Sequence, residues 1–194
     1  MEEVLDNICR RADSYKLLSA CYYLPDAELL QKIVDEVQTN HFFDELPCCI
    51  ALGPELESLI IDFTRLFVGP FKLLAPPYGS VYLEDSRIMG ESTVNVRNWY
   101  EKEGLDVVIN DAPDHIAMEL EFMYYLAVKQ IQATRQENLQ DMQLYAEKQK
   151  SFLRSHLAGW IAEFAENVQK NAQTEFYKNL ARLTEIFVQK DINA

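Results

Sequence analysis

Apolar residues recur at helical spacing along most of this chain, and no segment alternates as a half-buried strand would. Leu5, Ile8, Ala12, Tyr15, Leu18 and Tyr22 make one stripe over residues 2–24, with Glu2, Asp6, Arg10 and Asp13 off it and Pro25 as the stop. Leu29, Leu30, Ile33, Val34 and Val37 repeat the pattern over 26–38, and Phe42, Phe43 and Leu46 form an apolar link before Pro47. Pro54 suits the first turn of the next helix, Glu55 and Glu57 its positive end, and Leu56, Leu59, Ile60, Phe63 and Phe67 its buried face. Ser92 is a candidate N-cap for a helix through Glu103, and Gly104 a candidate C′ residue. Residues 114–134 carry Ile116, Leu120, Met123 and Ala127 on one stripe, and 138–154 form a further helix. Ser155 and Gly159 suggest a break before Trp160, Ile161 and Phe164; Phe176, Leu180, Leu183 and Phe187 define the last helix. The pattern predicts a single all-α domain of about nine or ten helices.

Composition agrees. Hydrophobic residues make up 48% of 194, enough for one filled core. Six Gly and seven Pro cluster between the helical stretches. The net charge of −13 disfavours nucleic acid, which needs a basic stripe, and favours a basic partner. The N-terminus is acidic and lacks the features of a signal peptide, and no apolar run approaches the ~20 residues that span a bilayer. Cys9, Cys21, Cys48 and Cys49 contain no C-x-x-C pair and read as thiols of a reducing compartment. A cytoplasmic protein is the expectation.

The irregular stretches hold the unusual residues. From Gly69 to Glu91 no period holds, and the loop Ala75-Pro76-Pro77-Tyr78-Gly79-Ser80-Val81-Tyr82 sets two tyrosines beside two prolines. Such a loop is stiff and loses little entropy on meeting a partner. Pro113-Asp114-His115 opens the next long helix, where titratable groups meet free backbone N–H groups; Asp114 is read as its N-cap or first-turn residue. His115 and Glu119 lie four apart and share a face, but two ligands do not make a metal site, and H-E-x-x-H is absent. His156, on an apolar face, reads as a packed histidine, and His41 stands apart. Glu119 and Glu121 point to different helix faces, which leaves paired-carboxylate chemistry without geometry. Phosphate-binding glycine loops and the serine-hydrolase elbow are also absent.

Several motifs, in order, resemble the TorD/DmsD/NarJ family of molybdoenzyme chaperones, the DmsD-like branch most closely. They are Phe63-x-x-Leu66-Phe67 with Gly69-Pro70; Pro76-Pro77-Tyr78-Gly79-Ser80-Val81-Tyr82; Gly90-Glu91-Ser92-Thr93 with Trp99-Tyr100 and Gly104; and Pro113-Asp114-His115 with Glu119-Leu120. Phe152-Leu153, His156-Leu157, Trp160 and Phe164 extend the match to about two thirds of the chain. The resemblance implies a TorD-like helical fold, with N-terminal (1–110) and C-terminal (111–194) parts that a hinge could join. It implies a cytoplasmic, non-enzymatic chaperone. The chaperone would bind the twin-arginine leader of an apo molybdopterin oxidoreductase of the DMSO reductase type. It would hold that subunit until cofactor insertion and Tat export, as a monomer or homodimer. No cofactor is implied beyond the guanine nucleotide reported for some members. The implied leader-binding residues are Phe63, Leu66, Phe67, Pro77, Tyr78, Tyr82, Asp114, His115 and Glu119, with Phe63, Leu66, Tyr78 and Tyr82 lining a groove. Two departures bear on specificity: Tyr78 stands where the DmsD-like branch often has Trp, and no acidic residue directly precedes Pro113. The competing reading is a small all-α enzyme working at Asp114, His115 and Glu119.

Overall fold

The computed structural model describes residues 2–39, 56–70, 73–84, 89–106 and 112–193. Phe42, Phe43, Leu46, Pro47, Cys48, Cys49, Pro54 and His41 lie outside them, as does the 110/111 boundary. Regular structure among the described residues is helical: α1 (Glu2–Cys21), α2 (Ala27–Thr39), α3 (Leu56–Phe63), α4 (Gly79–Leu83), α5 (Glu91–Lys102), α6 (Ile116–Arg135), α7 (Leu139–Ser155), α8 (Leu157–Asn171) and α9 (Glu175–Asn193).

The stripes become the core. Ile8, Ala12, Tyr15 and Leu18 of α1 are buried, and α1 lies along α6, whose Ile116, Leu120, Met123 and Ala127 are fully enclosed. Helix α6 also packs on α7 and α8 on α9, and Trp160, Ile161 and Phe164 of α8 and Phe176, Leu180 and Phe187 of α9 are all buried. Helix α1 ends at Cys21, short of Pro25. Tyr22 and Tyr23 donate to Ser19 and Ala20 in a tightened turn, which delivers the Tyr22 ring to the core beside Phe67 and Phe164. Its hydroxyl lies 2.9 Å from Thr184 Oγ1.

Two polar groups, Arg11 partly buried and Asp62 fully so, tie distant parts of the chain. Arg11 reaches Asp191, Gln130 and Gln149 at 3.1, 3.0 and 2.6 Å, and Tyr15 donates to the same Asp191 at 2.6 Å. That one guanidinium joins α1, α6, α7 and α9. Asp62, 1% exposed, accepts from the backbone N–H groups of Gln173 and Thr174 and from the Thr174 hydroxyl at 2.8–2.9 Å. It caps the entry to α9 from α3, and Arg65 pairs with it at 3.0 Å.

Helix α3 continues into a π turn, Thr64–Val68, closed by Gly69 N–H donating to Thr64 C=O at 2.6 Å. The extra residue per turn brings both Leu66 and Phe67 inward. Gly104 sits at φ +73°, the left-handed position expected after α5. The expected cap of α5 is corrected. Gly90 is its N-cap, and the Glu84 carboxylate reaches across to accept from the N–H groups of Glu91 and Ser92.

Candidate functional site

The two motifs that sequence reading singled out are joined. Ile116 N–H donates to Pro77 C=O at 2.8 Å, and Gly79 N–H donates to Asp114 C=O at 2.9 Å, making a one-step antiparallel bridge between Tyr78 and His115. Pro77 offers only its carbonyl, and that is the group used. Tyr78 takes extended backbone, φ −123° and ψ 126°. Asp114 then caps α4, not α6: Ser80 N–H donates to its Oδ2 at 2.7 Å. Helix α6 is capped by His115, whose Nδ1 accepts from Ala117 N–H at 3.1 Å. That bond leaves Nδ1 unprotonated and puts the ring proton on Nε2.

Above the bridge the surface is aromatic. Tyr78 meets the His115 ring edge-on at 5.3 Å, and Tyr23 lies parallel to it at 6.2 Å. Tyr23 is exposed, and its hydroxyl approaches Met118 Sδ at 3.8 Å. No periodic pattern pointed to Tyr23, because it stands past the end of α1 and is brought here by the α1–α6 packing.

Below the bridge lie carboxyl groups sealed from water. Asp114 and Glu119 are each 1% exposed. Burial, reinforced by the Asp114 charge, holds Glu119 well above the usual carboxyl range and so favours its protonated form. The Trp160 indole N–H faces Glu119 without closing a well-formed hydrogen bond. Gly79 is required by this closeness: a Cβ there would stand 2.9 Å from Trp160 Nε1 and 3.3 Å from Glu119 Oε1. Buried His156, its ring 4.9 Å from Phe152, is pushed down to about 4 by burial, which the Asp114 charge opposes. Tyr100 donates to Pro113 C=O at 2.9 Å and ties α5 to the same turn.

The groove expected of Phe63, Leu66, Tyr78 and Tyr82 is not one surface. Phe63, Leu66 and Phe67 are core residues, with Phe67 packed on Phe63, Tyr177, Phe164 and Tyr22 at 5.2–6.1 Å. Tyr82, half-buried, stacks on Trp160 at 5.6 Å. Pro77 is buried, and Tyr78 and His115 stand together at the bridge. Asp114 and Glu119 are near each other, but His115 faces the outer aromatic layer. The catalytic trio of the enzyme reading is therefore split between two layers, and both of its carboxyl groups are sealed from water. Among the described residues no cluster of His, Cys, Asp and Glu has the arrangement of a metal site, and no helix is long and apolar enough to cross a membrane.

Residues 42–166 match the family described as nitrate reductase delta subunit, well over half the chain. The chain belongs to this family. Curated relatives are named chaperone protein TorD. The chain is 33% identical over 167 residues to that of Actinobacillus pleuropneumoniae serotype 7, covering 84% of this chain and 77% of the relative. It is 31% identical over 136 residues to that of Vibrio cholerae O395, covering 69% of this chain and 60% of the relative. It thus spans less than two thirds of the Vibrio relative's length. A crystal structure from Archaeoglobus fulgidus, described as a candidate redox enzyme maturation protein, superposes with a TM-score of 0.62 at 26% identity, over 92% of this chain and 93% of that one. The delta-subunit family thus contains relatives named for chaperoning and not for catalysis.

Proposed function

We propose that this chain is a cytoplasmic redox-enzyme maturation chaperone that binds the twin-arginine leader of an apo molybdopterin oxidoreductase of the DMSO reductase type. It keeps that subunit from export until the cofactor is inserted, and it turns nothing over. The observation that carries the reading is the bridge that unites the aromatic-proline loop with the Asp-His turn. Tyr23 and Tyr78, packed against the buried His115 ring, offer an aromatic face to an apolar leader segment. The net charge of −13 favours the arginine pair, and carboxylates accept bidentate bonds from it. Because Asp114 and Glu119 are sealed, they reach a leader only if residues 76–83 move aside, whereas Tyr78 is in reach at once. Phe63, Leu66, Phe67, Pro77 and Tyr82 serve beneath as support. The DmsD-like kinship, a hinge near residue 110, exchange of parts in a homodimer and a guanine nucleotide belong to the same reading and rest on motif resemblance alone.

The test uses two variants against a synthetic twin-arginine leader. Tyr78→Ala removes a half-buried ring from the outer layer and should weaken binding with the fold intact. Asp114→Asn keeps an oxygen for Ser80 N–H but removes the charge. If the carboxylate meets an arginine, affinity falls by about 1.5–3 kcal/mol. Two folded variants with wild-type affinity would remove this site from the proposal.

A further inference from the structure

Polar atoms sealed inside a protein almost always have partners. Under α4 several do not. Asp114 Oδ1, Glu119 Oε2, Ser80 Oγ and Trp160 Nε1 are buried and unpartnered among the described residues. All four surround Gly79-Ser80. The cover over them is held by few bonds: Ile116 N–H to Pro77 C=O, Gly79 N–H to Asp114 C=O, and Ser80 N–H to Asp114 Oδ2. Side-chain contacts add to these: Tyr82 stacks on Trp160 and meets Phe164 edge-on, and Tyr78 meets the His115 ring. A short helix above poorly satisfied carboxyls can lift without opening the core beneath.

We infer that residues 76–83 form a lid latched over the buried pair Asp114 and Glu119, and that negative charge on Glu119 releases it. Glu119 Oε1 stands against Gly79, so the lid backbone is what separates this carboxyl from water. Among the described residues, the groups facing it are Asp114 from the bridge, the Trp160 indole N–H from α8, and Tyr100 from α5; His156 stands by Asp114, and Glu121 and Tyr23 act on Tyr100 from outside. None of these is a fixed cation. An ionised Glu119 would therefore be uncompensated beside Asp114, a state that lifting the lid relieves by admitting water. Opening releases one proton from Glu119 to solvent. The lid is a property of the free chain. That a cationic partner then holds it open rests on the leader-peptide reading.

Amide hydrogen exchange of the free chain from pH 6.5 to 8.5 tests the lid without any partner. From about pH 7.5 upward in that range His156 is neutral whether buried or hydrated and the Tyr100 phenol keeps its proton, so the slope is read there. Intrinsic exchange speeds up about tenfold per pH unit, and an opening that releases one proton adds about another tenfold. The Gly79, Ser80 and Ile116 amides are expected to quicken by clearly more than tenfold per unit, up to about a hundredfold, and faster than the most protected amides of α9. Glu119→Gln is expected to return them to about tenfold. A tenfold slope in the wild-type chain would overturn the inference. So would latch amides that exchange no faster than the α9 core, because no separate lid would then exist. Both readings come from the wild-type chain and decide the matter even if Glu119→Gln does not fold.

Discussion

Replacing His156 should flatten the acid limb of the stability curve. The ring is 4% exposed, and burial holds it down to about 4 against an ordinary 6.5. Below pH 6.5 the unfolded chain takes up a proton that the native ring refuses. The stabilisation is thus complete above 6.5 and is lost as pH falls toward 4. At about 1.4 kcal/mol per pH unit, His156 accounts for about 3 kcal/mol of that loss. Glu119 works in the opposite direction. Its raised native value means that stability is greatest in acid and falls as pH rises above 4.5. Between 4.5 and 6.5 folding therefore removes a proton from the histidine and places one on the glutamate, and the two slopes oppose each other. His156→Gln exposes the imbalance. Urea denaturation at steps from pH 7 to pH 4 would show the variant gaining about 3 kcal/mol on wild type across the range. Any fixed offset at pH 7 cancels in that comparison. Parallel curves would mean that the native ring is protonated like the unfolded one, and the picture of a neutral buried histidine would be wrong.

Other perturbations follow from particular contacts. Gly79→Ala drives a methyl to within 2.9 Å of Trp160 Nε1, and overpacking of that kind costs about 1–3 kcal/mol, read as a lower urea midpoint with Trp160 emission shifted to the red. Asp62→Ala strips three donors and Arg65 of their acceptor and should cost about 2–4 kcal/mol in thermal or urea unfolding. A loss within experimental error would show that water replaces the carboxylate without cost.

The long helices were legible because burial repeats along them: the stripes of α1, α6, α8 and α9 are the residues that the fold encloses. Gly104 was legible because its left-handed backbone is a local demand. Helix α4 was not. Five residues are too few to show a period, and its cap, Asp114, lies 34 residues further along the chain. The same cause misplaced two other caps. Ser92 and Asp114 are good local capping residues, but Glu84 and His115 occupy those roles once tertiary contacts fix the approach. Asp62 was hidden within an apolar stretch whose spacing drew attention to its neighbours. At the candidate site, Tyr78, Asp114, His115 and Glu119 were picked out from motif order and chemistry. Their division into an outer aromatic layer and an inner carboxyl layer depends on how residues 76–83 are drawn down onto α6 and α8, which no local pattern states.

Leader binding is decided by isothermal titration with twin-arginine leaders from the same organism. The chain should form a complex with at least one leader tighter than about 100 μM, roughly −5.5 kcal/mol, with no turnover. Binding should weaken in about 0.5 M salt, where the screening length falls well under 10 Å and the −13 charge loses its reach. No heat of binding from any such leader at that concentration would contradict leader binding.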